Sequence, residues 1–227
     1  MDERLIAGAR EAWRAIEPAA RRMIDYIWEN PELPMMEYKA EAALSAWLVE
    51  HGFTVERGVC AMPTAFRAVW SNGEGATIGF LAEYDALPGQ GNRMEPNRAP
   101  DGKRAGHACG HNLIGGADTG AAIAARHAME ALDITGTIVV LGTPAEEILW
   151  GKIAMFRDGA FDGIDVLLTS HGDYQNGAPS RPCLACVSSE FVFRGESSHG
   201  GSRRSQNALD AAELTVQSVE RLRAHQF

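Results

Sequence analysis

Cysteine is scarce in this sequence. The chain has 4 cysteines in 227 residues, too few for a disulfide framework in a protein of this size. Cys183 and Cys186 form a CxxC pair, a spacing that occurs in half of a zinc site or in a redox pair. No second CxxC completes a zinc cluster, and no helix start of the thioredoxin type follows. We therefore favour the interpretation that these are two small, half-buried residues.

The sequence also lacks long apolar runs, a leader pattern and an excess of basic residues. No apolar run approaches the roughly 20 residues needed to span a bilayer, and the N-terminal MDERLIAGAR has no charged-then-apolar signal layout. The formal net charge is −9, whereas binding nucleic-acid phosphates requires clustered Lys and Arg. With an ordinary hydrophobic content of 45%, these absences predict a cytoplasmic globular enzyme.

Helical and strand-like patterns alternate along most of the chain. Apolar residues recur with helical spacing over 17–29 and 37–51, and prolines interrupt the chain between them. Residues 89–105 have the composition of a long surface loop, and Gly115–Leu132 is typical of a small-residue helix. The runs typical of strands are Ala65–Trp70, Thr77–Leu81, Gly136–Leu141 and Val166–Thr169. This alternation predicts an α/β fold with a central, mostly parallel sheet and flanking helices.

The pattern changes near residue 187. Val187–Arg194 alternates like a half-exposed strand, and Ser205–His225 carries the apolar stripe of an amphipathic helix. One strand and one helix rarely form a domain by themselves. We therefore predict a first domain over 1–186 and the beginning of a second over 187–227, completed by further sequence or by a partner.

Residues with metal-binding side chains follow three of the predicted strands, and a fourth group precedes the small-residue helix. The four segments are Glu83–Pro88, Gly142–Glu147, Ser170–Asp173 and Gly106–Asn112. Open α/β sheets bind their ligands at the carboxyl ends of their strands. We therefore expect these segments to form one site.

The chemistry of these side chains indicates a metal centre. Cys109 and His111 lie on either side of Gly110, so an irregular turn could direct both at one ion, and a thiolate with an imidazole suits zinc or another late divalent metal. Burying the adjacent carboxylates of Glu146 and Glu147 is unfavourable unless cations offset their charge. A Glu pair alone is usually a solvated surface, and a lone strand-end histidine such as His171 is usually a surface or capping residue. Together they predict a hydrolase that uses metal-bound hydroxide and a separate carboxylate base.

Four motifs, AEYDALP, GHACGHN, GTPAEE and SHGG, occur in the sequence. With them the chain resembles metallopeptidase family 20 over nearly all of residues 20–225, and EYDALP and CGHN make it most similar to the p-aminobenzoyl-glutamate hydrolase-like amidohydrolases. The resemblance implies a zinc-peptidase-like catalytic domain over 1–186 and an α/β lid, used for dimerisation, that begins at 187–227. Relatives are about twice as long, so we expect the rest of the lid, the last catalytic segment and a final histidine ligand to lie outside this sequence.

The same resemblance implies the roles of individual residues. Two divalent ions, Zn or Mn with Co or Ni as further candidates, would be bound by Cys109, His111, Glu147 and His171. Glu146 corresponds to the general base, and Asp85 to a residue that orients a ligand. His199 corresponds to a lid histidine that polarises the scissile carbonyl in the neighbouring subunit, which implies a homodimer or a higher homo-oligomer.

The implied reaction is hydrolysis of a C–N bond, the amide of an N-acyl or aryl-amide amino acid or of a dipeptide. One alternative is hydrolytic deamination of an aromatic amine by the same metal-bound hydroxide. Another is a non-catalytic binding or assembly protein on the same fold. Ile148-Leu149-Trp150 stands where many relatives are glycine-rich. These residues either line a pocket for a flat, aromatic substrate or begin a packed helix.

Overall fold

The structure, a computed structural model, describes residues 3–178, 185–199 and 206–226. Its contacts divide the chain into two compact units, Met1–Asn176 and Gly177–Phe227. The predicted domain boundary after residue 186 lies within the second unit and stays a prediction.

The first unit alternates helices and strands, and the described part of the second contains one helix. In chain order the elements are α1 (Glu3–Glu29), α2 (Tyr38–Glu50), β1 (Thr54–Arg57), β2 (Phe66–Ser71), β3 (Thr77–Ala82), β4 (Leu87–Pro88), β5 (Ala105–Gly106), α3 (His111–Ala131), β6 (Thr137–Gly142), α4 (Gly151–Arg157), β7 (Val166–Leu168) and α5 (Ala208–Gln226). A short 3-10 turn, Val59–Ala61, lies between β1 and β2.

Five strands form the main sheet in the order β1-β2-β6-β3-β7. Strand β3 pairs in parallel with β6 and with β7, whereas β2 pairs antiparallel with β1 and with β6. The predicted α/β class with flanking helices is confirmed, but the sheet is mixed rather than mostly parallel. The antiparallel pairing of β1 with β2 needs only a short connection, whereas parallel neighbours need a long crossover.

The central strand β6 is buried on both faces. Alternate residues of β6 point to opposite sides, so that Ile138 and Val140 join the cluster formed with α1, α2 and α3, while Val139 and Leu141 join a cluster with Met155 of α4. Because β6 is covered on both sides, it reads in the sequence as a continuous apolar run.

The second unit differs from its prediction in one element. The helix predicted over Ser205–His225 is present as α5, but the strand predicted over Val187–Arg194 is not: residues 185–199 are described without helix or strand. An extended segment becomes a strand only when a neighbour accepts its backbone hydrogen bonds, and no described residue pairs with it. Within the described part of the chain, no helix is long and apolar enough to cross a membrane.

Candidate metal centre

The strand-end segments meet at one edge of the sheet. Because β3, β6 and β7 run parallel, Glu83, Glu146 and His171 all follow carboxyl ends at the same edge. Helix α3 begins there as well, since Gly110 precedes it with a left-handed φ of 89°. Glycine adopts this conformation without steric cost. The turn explains why α3 starts at His111, earlier than predicted.

Cys109, His111 and His171 form the first group of potential ligands. Their ligand atoms all lie within 4.8 Å of one another. The Cys109 Sγ atom lies 3.4 Å from Nε2 of His171, and the rings of His111 and His171 meet edge to face with centroids 6.3 Å apart. A thiol and two imidazoles at this separation are a donor set suited to zinc.

Glu83, His111 and Glu146 form a second group with the same mutual spacing. From Nε2 of His111 it is 3.2 Å to Oε2 of Glu83 and 3.6 Å to Oε2 of Glu146. Glu147 was predicted as a ligand and belongs to neither group, although its Oε1 lies 3.9 Å from the same nitrogen. The structure therefore brings the predicted residues of this unit together around His111.

Asp85 fixes the orientation of two of these residues. Its Oδ1 lies 2.8 Å from Nδ1 of His111, and its Oδ2 accepts a hydrogen bond of 2.9 Å from the backbone N–H of Glu147. With Nδ1 directed at Asp85, the other ring nitrogen of His111 faces the site. A carboxylate behind a histidine in this way orients the ring and raises its basicity as a metal ligand.

Two buried atoms of the site indicate that its residues are suited to a divalent cation. Nε2 of His111 and Oε1 of Glu147 are buried and have no hydrogen-bond partner among the described residues. Unpartnered buried polar atoms are costly and rare in folded proteins. A cation bound between the carboxylates and the imidazole would compensate both atoms.

The electrostatics of the site favour the same conclusion. Burial, together with the nearby carboxylates of Glu147 and Glu146, raises the pKa of the Cys109 thiol to about 11. Burial also raises the pKa of Glu147. Burial alone would lower the pKa of His111, but the hydrogen bond to Asp85 and the surrounding carboxylates outweigh it and raise this pKa. A bound cation would lower the pKa of the Cys109 thiol and of Glu147, because it favours the thiolate and the ionised carboxylate.

Sequence reasoning missed three residues of the site. Glu83 lies two residues before Asp85, and in extended chain such residues share one side. Lys152 forms an ion pair of 2.5 Å with Oε1 of Glu83, which no sequence signal indicated. Asp118 accepts hydrogen bonds from the backbone N–H and hydroxyl of Ser170, at 2.9 and 2.6 Å, and so fixes the residue before His171. Its position seven residues after His111, on the same helix face, is the signal that could have found it.

The remaining predicted residues belong to the second unit. His199 belongs to the second unit, and its predicted role stays a prediction. Cys186 is an exposed free cysteine, and Cys183 lies outside the described residues.

The segment after the glutamate pair lines a groove. Its volume is about 200 Å³, and its walls are formed by Glu146, Leu149, Trp150, Gly151, Lys152 and Ile153. Trp150 is 46% exposed and directly precedes α4. The segment directly precedes α4, and Leu149 and Trp150 line a groove next to Glu146; a role in substrate binding stays a prediction.

The chain is similar in sequence to enzymes of one family. Residues 79–219 match the family model for peptidase family M20/M25/M40. One of the subunits of the p-aminobenzoyl-glutamate hydrolase of Escherichia coli (strain K12) is 36% identical over 219 residues, which are 93% of this chain and 45% of that protein. The Xaa-Arg dipeptidase of Mus musculus is 34% identical over 237 residues, 94% of this chain and 50% of that protein. The chain thus spans about half the length of these curated relatives.

Solved structures show the same fold. The Bacillus subtilis YXEP protein, a dinuclear metal-binding peptidase of the M20 family, aligns with a TM-score of 0.56 at 25% identity over 68% of this chain and 42% of its own. An aminobenzoyl-glutamate utilization protein from Klebsiella pneumoniae aligns with a TM-score of 0.50 at 18% identity over 70% of this chain and 44% of its own. With the family match over residues 79–219, these similarities show that the chain belongs to peptidase family M20/M25/M40.

Proposed function

We propose that the whole protein is a metal-dependent hydrolase that cleaves the amide of an N-acyl or aryl-amide amino acid or of a dipeptide. The observation that carries the proposal is the pair of ligand groups that share His111 at the carboxyl edge of the sheet. The names of its relatives, a p-aminobenzoyl-glutamate hydrolase and an Xaa-Arg dipeptidase, support this substrate class.

The proposed ligands are Cys109, His111, Glu147 and His171, and Glu83 is a further candidate from its position 3.2 Å from His111. Zn or Mn suits this mixture of sulfur, nitrogen and oxygen donors, and Co or Ni are alternatives. Two bound divalent ions would supply Lewis-acid activation of water and of the scissile carbonyl. Asp85 positions His111 and Glu147 together, because one carboxylate contacts both residues.

Glu146 is the proposed general base. Its side chain is 31% exposed, whereas that of Glu147 is 14% exposed, so Glu146 is more accessible to water and substrate. Glu147 is also held through its backbone by Asp85, as a ligand requires. This difference supports one glutamate accepting the proton of the attacking water and the other holding metal.

The groove beside Glu146 supports a compact, flat acyl group as part of the substrate. Leu149 and Trp150 line it, and its volume of about 200 Å³ is small. An aromatic ring would pack against Trp150. The same groove would also accept an aromatic amine, so hydrolytic deamination is the second candidate, distinguished by release of ammonia. A purely binding role is the weaker alternative, because it gives no reason for the unpartnered buried atoms on His111 and Glu147.

Residues 187–227 are proposed as the beginning of a lid through which the protein forms a homodimer or higher homo-oligomer. His199 would then act on the substrate carbonyl in the neighbouring subunit. Both statements rest on the resemblance to the family, and the complementation experiment in the Discussion addresses them.

Substitution of each glutamate tests the proposed roles. In the whole protein, Glu146→Gln should keep its metal and lose turnover on the order of 10²–10⁴-fold, the usual effect of removing a general base. Glu147→Gln should instead lower the metal content. Elemental analysis beside kinetics with matched benzoyl and acetyl amino acids separates the two. If Glu146→Gln loses metal and Glu147→Gln keeps it, the two roles are reversed.

A further inference from the structure

Glu37 is a fully buried carboxylate away from the proposed ligands. It directly precedes α2 and is 0% exposed. Its Oε1 accepts hydrogen bonds of 2.9 Å from the backbone N–H groups of Met35 and Ala145. Its Oε2 accepts one of 2.7 Å from the hydroxyl of Thr64. One side chain thus joins three segments that are distant in sequence.

Ala145 is the most informative of these partners. It precedes Glu146 and has a left-handed φ of 58°, an unfavourable conformation for any residue with a Cβ atom. Such backbone strain persists only where surrounding contacts hold it. The hydrogen bond from its N–H to Glu37 is one such contact. The carbonyl of Ala145 provides another, since it accepts hydrogen bonds from Trp150 and Gly151 at 3.2 and 3.4 Å.

The contacts of Glu37 extend to the other acidic segment. Thr64, which donates to Glu37, accepts through its carbonyl a hydrogen bond of 2.6 Å from the hydroxyl of Tyr84. Tyr84 is fully buried and lies between Glu83 and Asp85. A single buried network therefore links the strand end that carries Glu83 and Asp85 with the strand end that carries Glu146 and Glu147.

We propose that Glu37 is a positioning residue that holds the strained Ala145 turn and thereby sets the direction of Glu146 and Glu147. This inference rests on the proposed metal function. Glu37 acts through the acceptor geometry of its two oxygens rather than through its charge. The backbone donors and the Thr64 hydroxyl fix where those oxygens must lie.

Geometry and charge make opposite predictions for two conservative variants. In Glu37→Gln, the amide oxygen can still accept from Met35 and Ala145, and the amide NH₂ can donate to the Thr64 hydroxyl. We expect this variant to retain nearly wild-type affinity for Zn²⁺ and Mn²⁺. Glu37→Asp keeps the charge but is one methylene shorter, so it cannot reach all three donors. We expect it to lose affinity on the order of 10–100-fold, the usual effect of removing a residue that supports a ligand.

Ala145→Gly provides a rescue test. Glycine adopts a left-handed φ without steric cost, so the turn would no longer require the hydrogen bond to Glu37 to keep this conformation. Adding Ala145→Gly to Glu37→Asp should therefore restore part of the lost affinity. A general loss of packing would not be repaired by removing a methyl group from a residue that is itself 0% exposed.

Glu41, in the first turn of α2, offers a matched control. It is 1% exposed, but it pairs with Arg57 and accepts a hydrogen bond of 2.9 Å from the hydroxyl of Ser45. Glu41→Asp should lower the thermal stability without changing metal affinity. All variants are compared by competition with a chromophoric chelator, and their folding is monitored by circular dichroism.

The outcomes separate this inference from the proposed function. Weak binding by Glu37→Asp, normal binding by Glu37→Gln and partial rescue by Ala145→Gly would support the positioning role. Wild-type affinity in Glu37→Asp, or weak affinity in Glu37→Gln, would overturn it. Glu147→Gln serves as the reference. Undiminished affinity in Glu147→Gln means that the ligand assignment is wrong, and the positioning role then falls with it.

Discussion

His51 and His127 form a pair of histidines at the surface of the first unit. Nδ1 of His51 lies 3.3 Å from Nε2 of His127, and the two rings meet edge to face. Burial lowers the pKa of His51, and the proximity of His127 and Arg126 lowers it further. The folded protein therefore disfavours the protonated ring, which the unfolded chain accepts near its usual pKa of about 6.5.

This pair should make stability depend on pH. The lowered pKa means that the unfolded state binds more protons, so the free energy of unfolding should fall as the pH decreases below about 6.5. His51→Asn, which retains a polar group near the Nδ1 position, should show a smaller fall between about pH 7.5 and about pH 5. Urea denaturation of both proteins at the two pH values measures the difference. An equal fall in both would contradict the role given to His51.

Individual residues of the metal centre could be predicted where a metal-binding side chain lies at the end of a predicted strand or at the start of a predicted helix. Glu146 and His171 follow strands, Cys109 and His111 lie at the start of α3, and the structure places the four residues together. Glu37 could not be found in this way, because it accepts hydrogen bonds from backbone that is remote in sequence. An isolated acid in a helical pattern carries no sign of such partners.

The turn between β6 and α4 carries the proposed substrate specificity. Trp150 lines the groove beside Glu146 and is half-exposed. In the whole protein, Trp150→Gly should widen the groove and raise kcat/KM for bulky acyl groups relative to benzoyl by about tenfold, the effect of one to two kcal/mol of pocket contact. Competition assays with paired N-acyl amino acids measure this ratio.

Phe156 provides the control for that experiment. It is an aromatic residue of α4 that is 75% exposed; it does not line the groove beside Glu146 but a neighbouring one, which shares Ile153 with it and also includes Phe161 and Leu167. Phe156→Ala should leave the substrate preference unchanged. A wild-type preference for aliphatic dipeptides that Trp150→Gly does not alter would refute the aromatic pocket and leave the metal proposal intact.

Helices and strands were predicted well where the sequence pattern is long and where other elements pack against the segment. The runs that became β2, β3 and β6 have buried apolar side chains on both faces or in alternation. Strand β1 was missed, because it is a short, largely exposed TVER segment, and helix α4, which has only seven residues, was expected only as one of two alternatives. The prediction of a strand over Val187–Arg194 was wrong. The sequence there alternates between apolar and polar residues, but no described segment pairs with it.

Assembly of the whole protein is the proposal that depends on His199. If this residue acts in the neighbouring subunit, an inactive His199→Ala protein mixed with an inactive Glu146→Gln protein should regain activity. Randomly exchanged dimers would contain one complete site in about half of the molecules, so about a quarter of wild-type activity is expected. Differently tagged subunits establish that exchange has taken place. If exchange occurs and activity does not return, His199 acts within its own subunit or outside catalysis.

The place of β6 in the sheet has a consequence for how the protein is made. β2 and β3 are consecutive in the chain and joined by a short connection, yet β6 lies between them. During synthesis, β2 and β3 emerge long before β6, and they must remain apart for it to enter. In the folded protein, Asn72 in their connection fixes the segment before β6: its Oδ1 accepts a hydrogen bond from the Gly136 N–H and its Nδ2 donates one to the Ile134 carbonyl, both at 2.9 Å. We therefore expect closure of the sheet to be limited by late, long-range strand pairing, which is slow. We expect the nascent chain to expose apolar strand surface until β6 has been synthesised, together with Glu146 and Glu147, which follow it closely in the sequence.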